Sequence, residues 1–325
     1  MRVAILDDYQ GVALGSADWS GVLARAGVTA YADHVTDEAL LAERLRDATI
    51  VVAMRERTPF PRTLFERLPN LRLLVTTGAS NRAIDTDAAR DHGVTVCGTR
   101  GVGFPTAELT WGLILALARH IPEEDRAIRG GRWQATLGDG LRGKTLGVIG
   151  LGRIGGDVAA IGRAFGMSVM AWSPNLSRGR AEELGVTPAT SVEDLLERSD
   201  VVTLHLVLSP RTRGLIGAAE LARMRRSAFL VNTSRGPIVD GAALVDALRR
   251  RAIAGAGLDV FDAEPLPAGH PLLGLDNVVL TPHIGYVVRE SYDIYYRDAV
   301  EDILSFLDGA PMRVIVAGNP DWRST

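Results

Sequence analysis

The chain of 325 residues has one cysteine, one lysine and no long apolar run. A lone Cys97 excludes an intramolecular disulfide and a thiolate metal cluster, and its apolar surroundings predict a buried, inert thiol. Possible ligand residues nowhere recur at metal-site spacing, so we predict no metal. No apolar run has membrane-spanning length, the first residues lack a signal-peptide pattern, and a formal charge of −3 gives no general attraction to nucleic acid or anionic membranes. These absences favour a cytoplasmic globular protein that binds neither nucleic acid nor membranes.

Glycine, in contrast, is placed in a pattern that indicates a function. Residues 145–149 have a strand pattern and are followed by a glycine-rich turn with G-x-G-x-x-G spacing. A helical pattern over residues 154–165 comes next, and residues 168–172 have a second strand pattern. Gly150 permits the tight turn, Gly152 lets a pyrophosphate approach the backbone, and Gly155 lets the helix pack on its strand. Free N–H groups at the helix N-terminus suit phosphates. We therefore predict a dinucleotide-binding site here.

Short apolar runs alternate with helical or loop segments on both sides of this turn, which is typical of α/β folds with parallel sheets. The predicted strands are 3–6, 29–32, 50–53, 71–75 and 94–97 in a first unit, and 145–149, 168–172, 201–204, 228–231, 256–260 and 278–280 in a second. Six strands are usual for a dinucleotide-binding domain.

The remaining segments are predicted from their apolar patterns. The helix 106–119 is apolar on almost every side, so we expect it to pack between domains or against a second subunit. Residues 121–140, with an exposed Trp133, are expected to be an irregular dimer arm. A long helix should begin beyond Gly285 and reach Leu307, and residues 312–316 resemble one more strand.

Three chemically active side chains follow successive strands of the second unit. Arg235, Glu264 and His283 each come a few residues after a strand, so all three should lie at one edge of the sheet. Arginine can hold a carboxylate through two parallel N–H bonds, and histidine can exchange a hydroxyl proton near neutral pH. A glutamate would orient that histidine and favour its protonated form. Each residue alone has an ordinary structural explanation, but together they indicate hydride transfer on a hydroxy acid.

Five motifs in order, GLGRIG, VTLH, VNTSRG, GLDVFDAEP and TPHIG, resemble the D-isomer-specific 2-hydroxyacid dehydrogenases, which include phosphoglycerate, glycerate and glyoxylate/hydroxypyruvate enzymes. The resemblance implies an α/β fold of two Rossmann-like domains with doubly wound parallel sheets. A discontinuous, flavodoxin-like substrate domain would comprise residues 1–99 and 286–325, and an inserted dinucleotide-binding domain residues 100–285. It further implies a homodimer through the nucleotide-binding domain. We expect no additional regulatory domain, which argues against the longer, serine-feedback type of phosphoglycerate dehydrogenase.

The resemblance also assigns site residues. Arg235 would bind substrate, Glu264 would support His283, and His283 would be the acid–base in hydride transfer between NAD(P) and C2 of a D-2-hydroxy acid or 2-oxo acid. The substrate carboxylate would be held by the loop of Gly78, Ala79, Ser80 and Asn81. Cofactor contacts would come from Thr106, Gly150, Gly152, Arg153, Ile154, Gly155, His205, Thr212, Thr233 and Asp259, the last reaching the carboxamide.

Two departures from the family pattern leave alternatives open. Ser173 stands where NAD users carry an acid, and Arg178 is near enough in sequence to bind a 2′-phosphate, so NAD and NADP both remain candidates. Tyr286 follows His283-Ile284-Gly285 where glycine or serine is usual, so no particular acid is assigned. A formate or phosphite dehydrogenase is a second hypothesis, although Glu264 argues against the formate type, where glutamine is expected. A dinucleotide-sensing protein of the C-terminal-binding-protein type is a third.

Overall fold

The structure, a computed structural model, describes residues 1–315, which form two compact units. Unit 1 comprises Met1–Val102 and the chain from Val287, and unit 2 comprises Gly103–Tyr286. The strands are β1 (Arg2–Ile5), β2 (Gly27–Ala30), β3 (Ile50–Ala53), β4 (Leu73–Thr76), β5 (Thr95–Gly98), β6 (Thr145–Ile149), β7 (Ser168–Trp172), β8 (Thr187–Pro188), β9 (Val201–Leu204), β10 (Phe229–Asn232), β11 (Gly255–Leu258) and β12 (Val278–Leu280). The α-helices are α1 (Ser20–Leu23), α2 (Glu38–Leu45), α3 (Arg62–Phe65), α4 (Thr86–Asp91), α5 (Pro105–Ala118), α6 (Ile121–Arg129), α7 (Arg153–Ala164), α8 (Arg178–Glu183), α9 (Val192–Arg198), α10 (Ala218–Arg223), α11 (Gly241–Arg249) and α12 (Arg289–Leu307).

Unit 1 has a parallel five-stranded sheet in the order β2-β1-β3-β4-β5. Strands β3 and β4 are buried along their whole length, as expected for a sheet covered on both faces. Aspartates begin two of the covering helices, because the side chain of Asp37 accepts hydrogen bonds at the start of α2 and that of Asp85 does so at α4. Helix α12 belongs to the same unit and packs on β4. This is the flavodoxin-like order that the resemblance implied.

Unit 2 has a parallel seven-stranded sheet in the order β12-β11-β10-β9-β6-β7-β8. The order reverses at β6, so the crevice beyond the carboxyl ends of β6 and β9 is the topological switch point where dinucleotides bind. All eleven predicted strands are present, with bounds shifted by at most two residues, and the α/β prediction is confirmed. The seventh strand, β8, was not predicted because two residues that include Pro188 give no periodic signal.

Helix α5 is covered within its own unit. Trp111, Leu113, Ile114 and Leu117 are buried, and the helix packs on α7 and on β10, β11 and β12. The Trp111 ring stacks on Phe165 with 4.8 Å between ring centroids. The apolar residues around α5, from which the sequence predicted packing between domains, therefore pack on the sheet and on α7 of unit 2.

Two other segments differ from the sequence-based expectation. Residues 121–129 form α6 rather than an irregular arm, because Pro122 lies in the first turn and acidic and basic residues occupy its first and last turns respectively. The strand expected at residues 312–316 is reduced to an isolated antiparallel bridge between Cys97 and Val314, and Val316 lies outside the described residues. Over residues 1–315, no helix is both long and apolar enough to span a membrane.

Candidate active site

The glycine-rich turn between β6 and α7 has the shape of a phosphate cradle. Gly150 has φ of +102°, and a Cβ there would lie 2.5 Å from the carbonyl oxygen of His205. A Cβ on Gly155 would lie 2.0 Å from the Gly150 oxygen, so helix and turn meet only because that side chain is missing. At Gly152, in contrast, no atom of the described chain outside the adjoining residues lies within 4 Å of the Cβ position, and α7 begins there without a side-chain cap. These uncovered N–H groups fit a dinucleotide pyrophosphate.

The end of β7 is tied to this turn. The N–H of Gly150 donates to the carbonyl of Trp172 at 2.8 Å, and the N–H of Leu151 donates to Ser173 Oγ at 2.9 Å. Arg178 is the first residue of α8 and is largely exposed, with an ion pair of 2.9 Å to Glu182. The structure therefore puts Ser173, but no carboxylate, beside the glycine turn at the end of β7.

Three threonines predicted to contact the cofactor make hydrogen bonds inside unit 2. Each hydroxyl has a partner: Thr106 Oγ1 donates to Gly285 O at 3.0 Å, Thr212 Oγ1 to Val207 O at 2.8 Å, and Thr233 Oγ1 lies 2.9 Å from Thr110 Oγ1. Thr106 lies in the first turn of α5, Thr212 follows β9 and Thr233 follows β10, and their cofactor contacts stay predictions.

Arg153 and Ile154 begin α7 directly after the glycine turn. The guanidinium of Arg153 lies so close to Gly103 that a Cβ there would overlap it. Ile154 is half-buried and packs on the core of the unit. The structure therefore places both at the helix N-terminus, where phosphate contacts would be made.

His205 follows β9 across the switch point. Its Nε2 lies 2.9 Å from the hydroxyl oxygen of Thr203, and desolvation lowers its pKa to about 3. The ring is therefore neutral at physiological pH. Its carbonyl oxygen faces Gly150, which suits a wall of the nucleotide site better than acid–base catalysis.

His283 and Glu264 form a close pair beyond β11 and β12. His283 Nδ1 lies 2.6 Å from Glu264 Oε2, and the other carboxylate oxygen, Oε1, accepts a hydrogen bond from the N–H of Phe261 at 2.9 Å. The side chains are 18% and 27% exposed, so the pair is reachable from solvent. Because the carboxylate engages Nδ1, Nε2 is the ring nitrogen that proton exchange with a substrate would use.

Asp259 holds the loop that carries His283. Its Oδ1 accepts hydrogen bonds from the Thr281 hydroxyl at 2.6 Å and the Ile284 N–H at 2.8 Å, and Oδ2 accepts from the Gly285 N–H at 2.9 Å. Burial raises the pKa of Asp259, and these hydrogen bonds oppose that rise. The bonds bracket His283, whose φ of +54° is unusual for a residue with a side chain. The sequence indicated Asp259 as a cofactor contact but gave no sign of this positioning role.

Arg235 follows β10 and is linked by packing to the loop of Glu264. Its carbonyl accepts a hydrogen bond from Asn232 Nδ2 at 3.0 Å, and its Nη1 donates to Ser234 O at 2.7 Å. The next residue, Gly236, packs so tightly that a Cβ would lie 2.1 Å from the carbonyl carbon of Phe261. Sequence reasoning missed Gly236, although a glycine directly after the arginine was the available signal.

The proposed substrate loop lies in unit 1, after β4. Gly78 has φ of +88°, and its N–H donates to the hydroxyl of Thr99 at 2.7 Å. Asn81 Nδ2 donates to Thr76 Oγ1 at 2.9 Å and so fixes the far side of the loop. The Gly78 N–H therefore has a partner within unit 1, and the substrate-carboxylate contact expected of this loop stays a prediction.

Neither a metal centre nor a reactive thiol is found in the described part of the chain. Residues 1–315 contain no group of three or more histidine, cysteine or acidic side chains that could hold a metal ion. Cys97 is buried, and its pKa is raised to about 12 by desolvation and by Asp302. The thiol therefore stays protonated and unreactive.

Comparison with known proteins identifies the family. Residues 111–285, more than half of the chain, match the family model described as D-isomer specific 2-hydroxyacid dehydrogenase, NAD binding domain. Glyoxylate reductase of Aeropyrum pernix is 44% identical over 256 residues, which are 76% of each chain. The crystal structure of phosphoglycerate oxidoreductase from Vibrio cholerae superimposes with a TM-score of 0.90 at 40% identity, covering 95% of this chain and all of that one.

A longer relative shares the same region. D-3-phosphoglycerate dehydrogenase of Methanocaldococcus jannaschii is 38% identical over 89% of this chain, and the chain spans 55% of that protein's length. The family model, the relatives and the fold therefore agree. The chain belongs to the D-isomer-specific 2-hydroxyacid dehydrogenase family, whose members are oxidoreductases that act on the CH–OH group of hydroxy acids with NAD(P).

Proposed function

We propose that the protein interconverts a small 2-oxo acid and its D-2-hydroxy acid, with His283 as acid–base, Glu264 as its partner and Arg235 as the anchor of the substrate carboxylate. The observation that carries this proposal is the His283–Glu264 pair, 2.6 Å apart, at the same edge of the sheet as the uncovered N-terminus of α7. An acid–base pair and a phosphate cradle at one crevice are what hydride transfer on a hydroxyl carbon requires.

The chemistry divides between cofactor and protein. A bound nicotinamide supplies or accepts the hydride at C2. When the oxo acid is reduced, protonated His283 donates its Nε2 proton to the developing alkoxide, and in the oxidative direction neutral His283 accepts the hydroxyl proton. Glu264 holds Nδ1 and stabilises the imidazolium that forms during oxidation.

Arg235 and Tyr286 would set the position and size of the substrate. A guanidinium offers two parallel N–H donors to a carboxylate and so fixes the orientation of C2. The ring of Tyr286 lies edge-on to that of His283, with 5.8 Å between ring centroids, which narrows the space beside the acid–base. This favours small substrates.

The other two hypotheses receive less support. The carboxylate of Glu264 lies against His283 and can stabilise its protonated form, as an acid–base pair requires. A formate dehydrogenase site is expected to carry glutamine at this position, so Glu264 argues against that hypothesis. The named relatives are reductases and dehydrogenases, which does not favour a purely regulatory protein.

A substrate screen tests the proposed function. Purified protein is mixed with NADH or NADPH and with glyoxylate, hydroxypyruvate, pyruvate and longer 2-oxo acids, and absorbance is followed at 340 nm. We expect oxidation of the cofactor with at least one small acid and a product of D configuration where C2 is chiral. Nucleotide binding without turnover of any acid would contradict the proposal and favour a sensor.

A homodimer through unit 2 is the assembly we propose. Large apolar side chains are exposed on and just after α6, where Ile121, Ile128, Trp133 and Leu137 are 52%, 54%, 77% and 93% exposed, beside a groove of about 620 Å³. Such concentrated apolar exposure marks interaction surfaces. The replacement Trp133→Arg should shift the mass measured by light scattering towards the monomer. The control Leu273→Asp, at an exposed leucine elsewhere in unit 2, should leave the mass unchanged. A monomeric wild type would contradict this assembly.

We also propose that the protein is located in the cytoplasm.

A further inference from the structure

The connection between β7 and α8 has no carboxylate where one would hold a ribose. In NAD-binding units, an acid at the end of the second strand hydrogen-bonds the ribose hydroxyls, and its charge repels a 2′-phosphate. Here the position is Ser173, and residues 173–181 include two arginines and no acidic residue. The first carboxylate after the strand is Glu182, on the far side of the first turn of α8.

The geometry keeps Ser173 beside the nucleotide cradle. Its Oγ accepts a hydrogen bond from the N–H of Leu151, inside the glycine turn, at 2.9 Å. A serine hydroxyl that accepts from a backbone N–H still has its own O–H to donate. The side chain can therefore offer a hydrogen bond to an oxygen beyond the end of β7, with no negative charge to oppose a phosphate.

The chain turns back after Ser173, and an arginine begins the next helix five residues further on. The N–H of Leu176 donates to the carbonyl of Ser173 at 3.2 Å, and Ser177 caps α8 by accepting from the N–H of Arg180. Arg178 is then the first residue of the helix. This tight turn starts α8 close to the strand end instead of leading the chain away from it.

Arg178 can give up its ion pair with Glu182 for a phosphate at little cost in free energy. Its side chain is 87% exposed, and its ion pair with Glu182 is an exposed pair four residues apart on one helix, the kind that contributes little to stability. A phosphate dianion accepts two parallel hydrogen bonds from a guanidinium and is the stronger partner. Arg180 has the same chemistry on the same helix but lies two residues further on and pairs with Glu183.

We propose that this protein prefers NADP(H) over NAD(H), with Arg178 binding the 2′-phosphate and Ser173 donating a hydrogen bond to it. This inference rests on the proposed function only in so far as both need a dinucleotide in unit 2. The preference is a property of the adenosine end and is independent of the acid that is reduced.

Binding of unreactive fragments gives the first test. Calorimetric titration with adenosine 2′,5′-bisphosphate and with adenosine 5′-monophosphate isolates the 2′-phosphate, because the two nucleotides differ only in that group and neither takes part in hydride transfer. We expect the wild type to bind the 2′,5′-bisphosphate at least about tenfold more tightly than the 5′-monophosphate, as for a charge-assisted phosphate contact. Arg178→Gln should abolish most of this preference, and the matched control Arg180→Gln should retain it. Equal affinity for both nucleotides in the wild type, or equal losses in the two variants, would overturn the proposal.

A charge introduced at the strand end gives the second test. Ser173→Asp places the missing carboxylate beside the ribose and should reverse the ratio of kcat/KM for NADPH and NADH, by at least about tenfold relative to the wild type. Circular dichroism and the melting temperature report whether the variant is folded. A wild type that turns over an oxo acid better with NADH overturns the NADP preference and leaves the proposed function intact. A wild type that binds neither nucleotide overturns both.

Discussion

Replacing His283 with glutamine is expected to lower kcat/KM by at least about a hundredfold, with a small change in KM. Glutamine keeps a polar side chain of similar reach but cannot exchange a proton near neutral pH, and general acid–base catalysis commonly contributes 10²- to 10⁴-fold. A hundredfold loss corresponds to about 2.7 kcal/mol of transition-state stabilisation. Steady-state kinetics with the best acid from the substrate screen measures it.

Two further variants separate proton transfer from other effects of the replacement. Glu264→Gln keeps a hydrogen-bonding partner for His283 Nδ1 but removes the charge that stabilises the imidazolium, so we expect a smaller loss in kcat and a shifted pH profile. His270→Gln is the matched control, because His270 lies in the same unit and its Nδ1 accepts from the backbone N–H of Leu272. Near-wild-type turnover in folded His283→Gln would contradict its role as the acid–base.

The parts of the site that depend on local sequence could be predicted. The turn from Gly150 to Gly155 follows from the backbone needs of a phosphate loop, and those needs are visible as residue types at fixed spacing. The positions of Arg235, Glu264 and His283 after three successive strands predicted that they lie at one edge of the sheet, because the carboxyl ends of parallel strands share that edge. The structure brings Glu264 and His283 into direct contact, and the catalytic roles of all three residues stay predictions.

The parts that depend on side-chain orientation could not be predicted. The carboxylate of Asp259 faces Thr281 and the N–H groups after His283, a contact set by the register of β11 against β12 and the shape of the following loop. The Gly78 N–H, which was expected to contact a substrate carboxylate, donates to the hydroxyl of Thr99, and no sequence pattern indicates that hydrogen bond. Helix α6 was missed because its apolar positions are few and its signals are a proline and end charges.

Replacing Arg235 with lysine is also expected to lower kcat/KM for the oxo acid by at least about a hundredfold, although the charge is kept. Lysine is a point charge with a rotatable ammonium, whereas the guanidinium offers two N–H donors in the fixed plane that a carboxylate matches. Losing that geometry lets C2 turn away from the hydride path, so kcat should fall as KM rises. Initial rates over a range of oxo-acid concentrations separate the two effects.

Arg223→Lys provides the matched control for Arg235→Lys, because Arg223 lies in the same unit, pairs with Glu197 on the surface and should leave kinetics unchanged. Calorimetric titration with ADP should give similar affinities for both variants, since we place Arg235 at the substrate carboxylate and not at the adenosine end. If Arg235→Lys instead weakened ADP binding and left kcat and KM for the acid unchanged, the guanidinium would belong to the nucleotide site. The substrate carboxylate would then need another anchor.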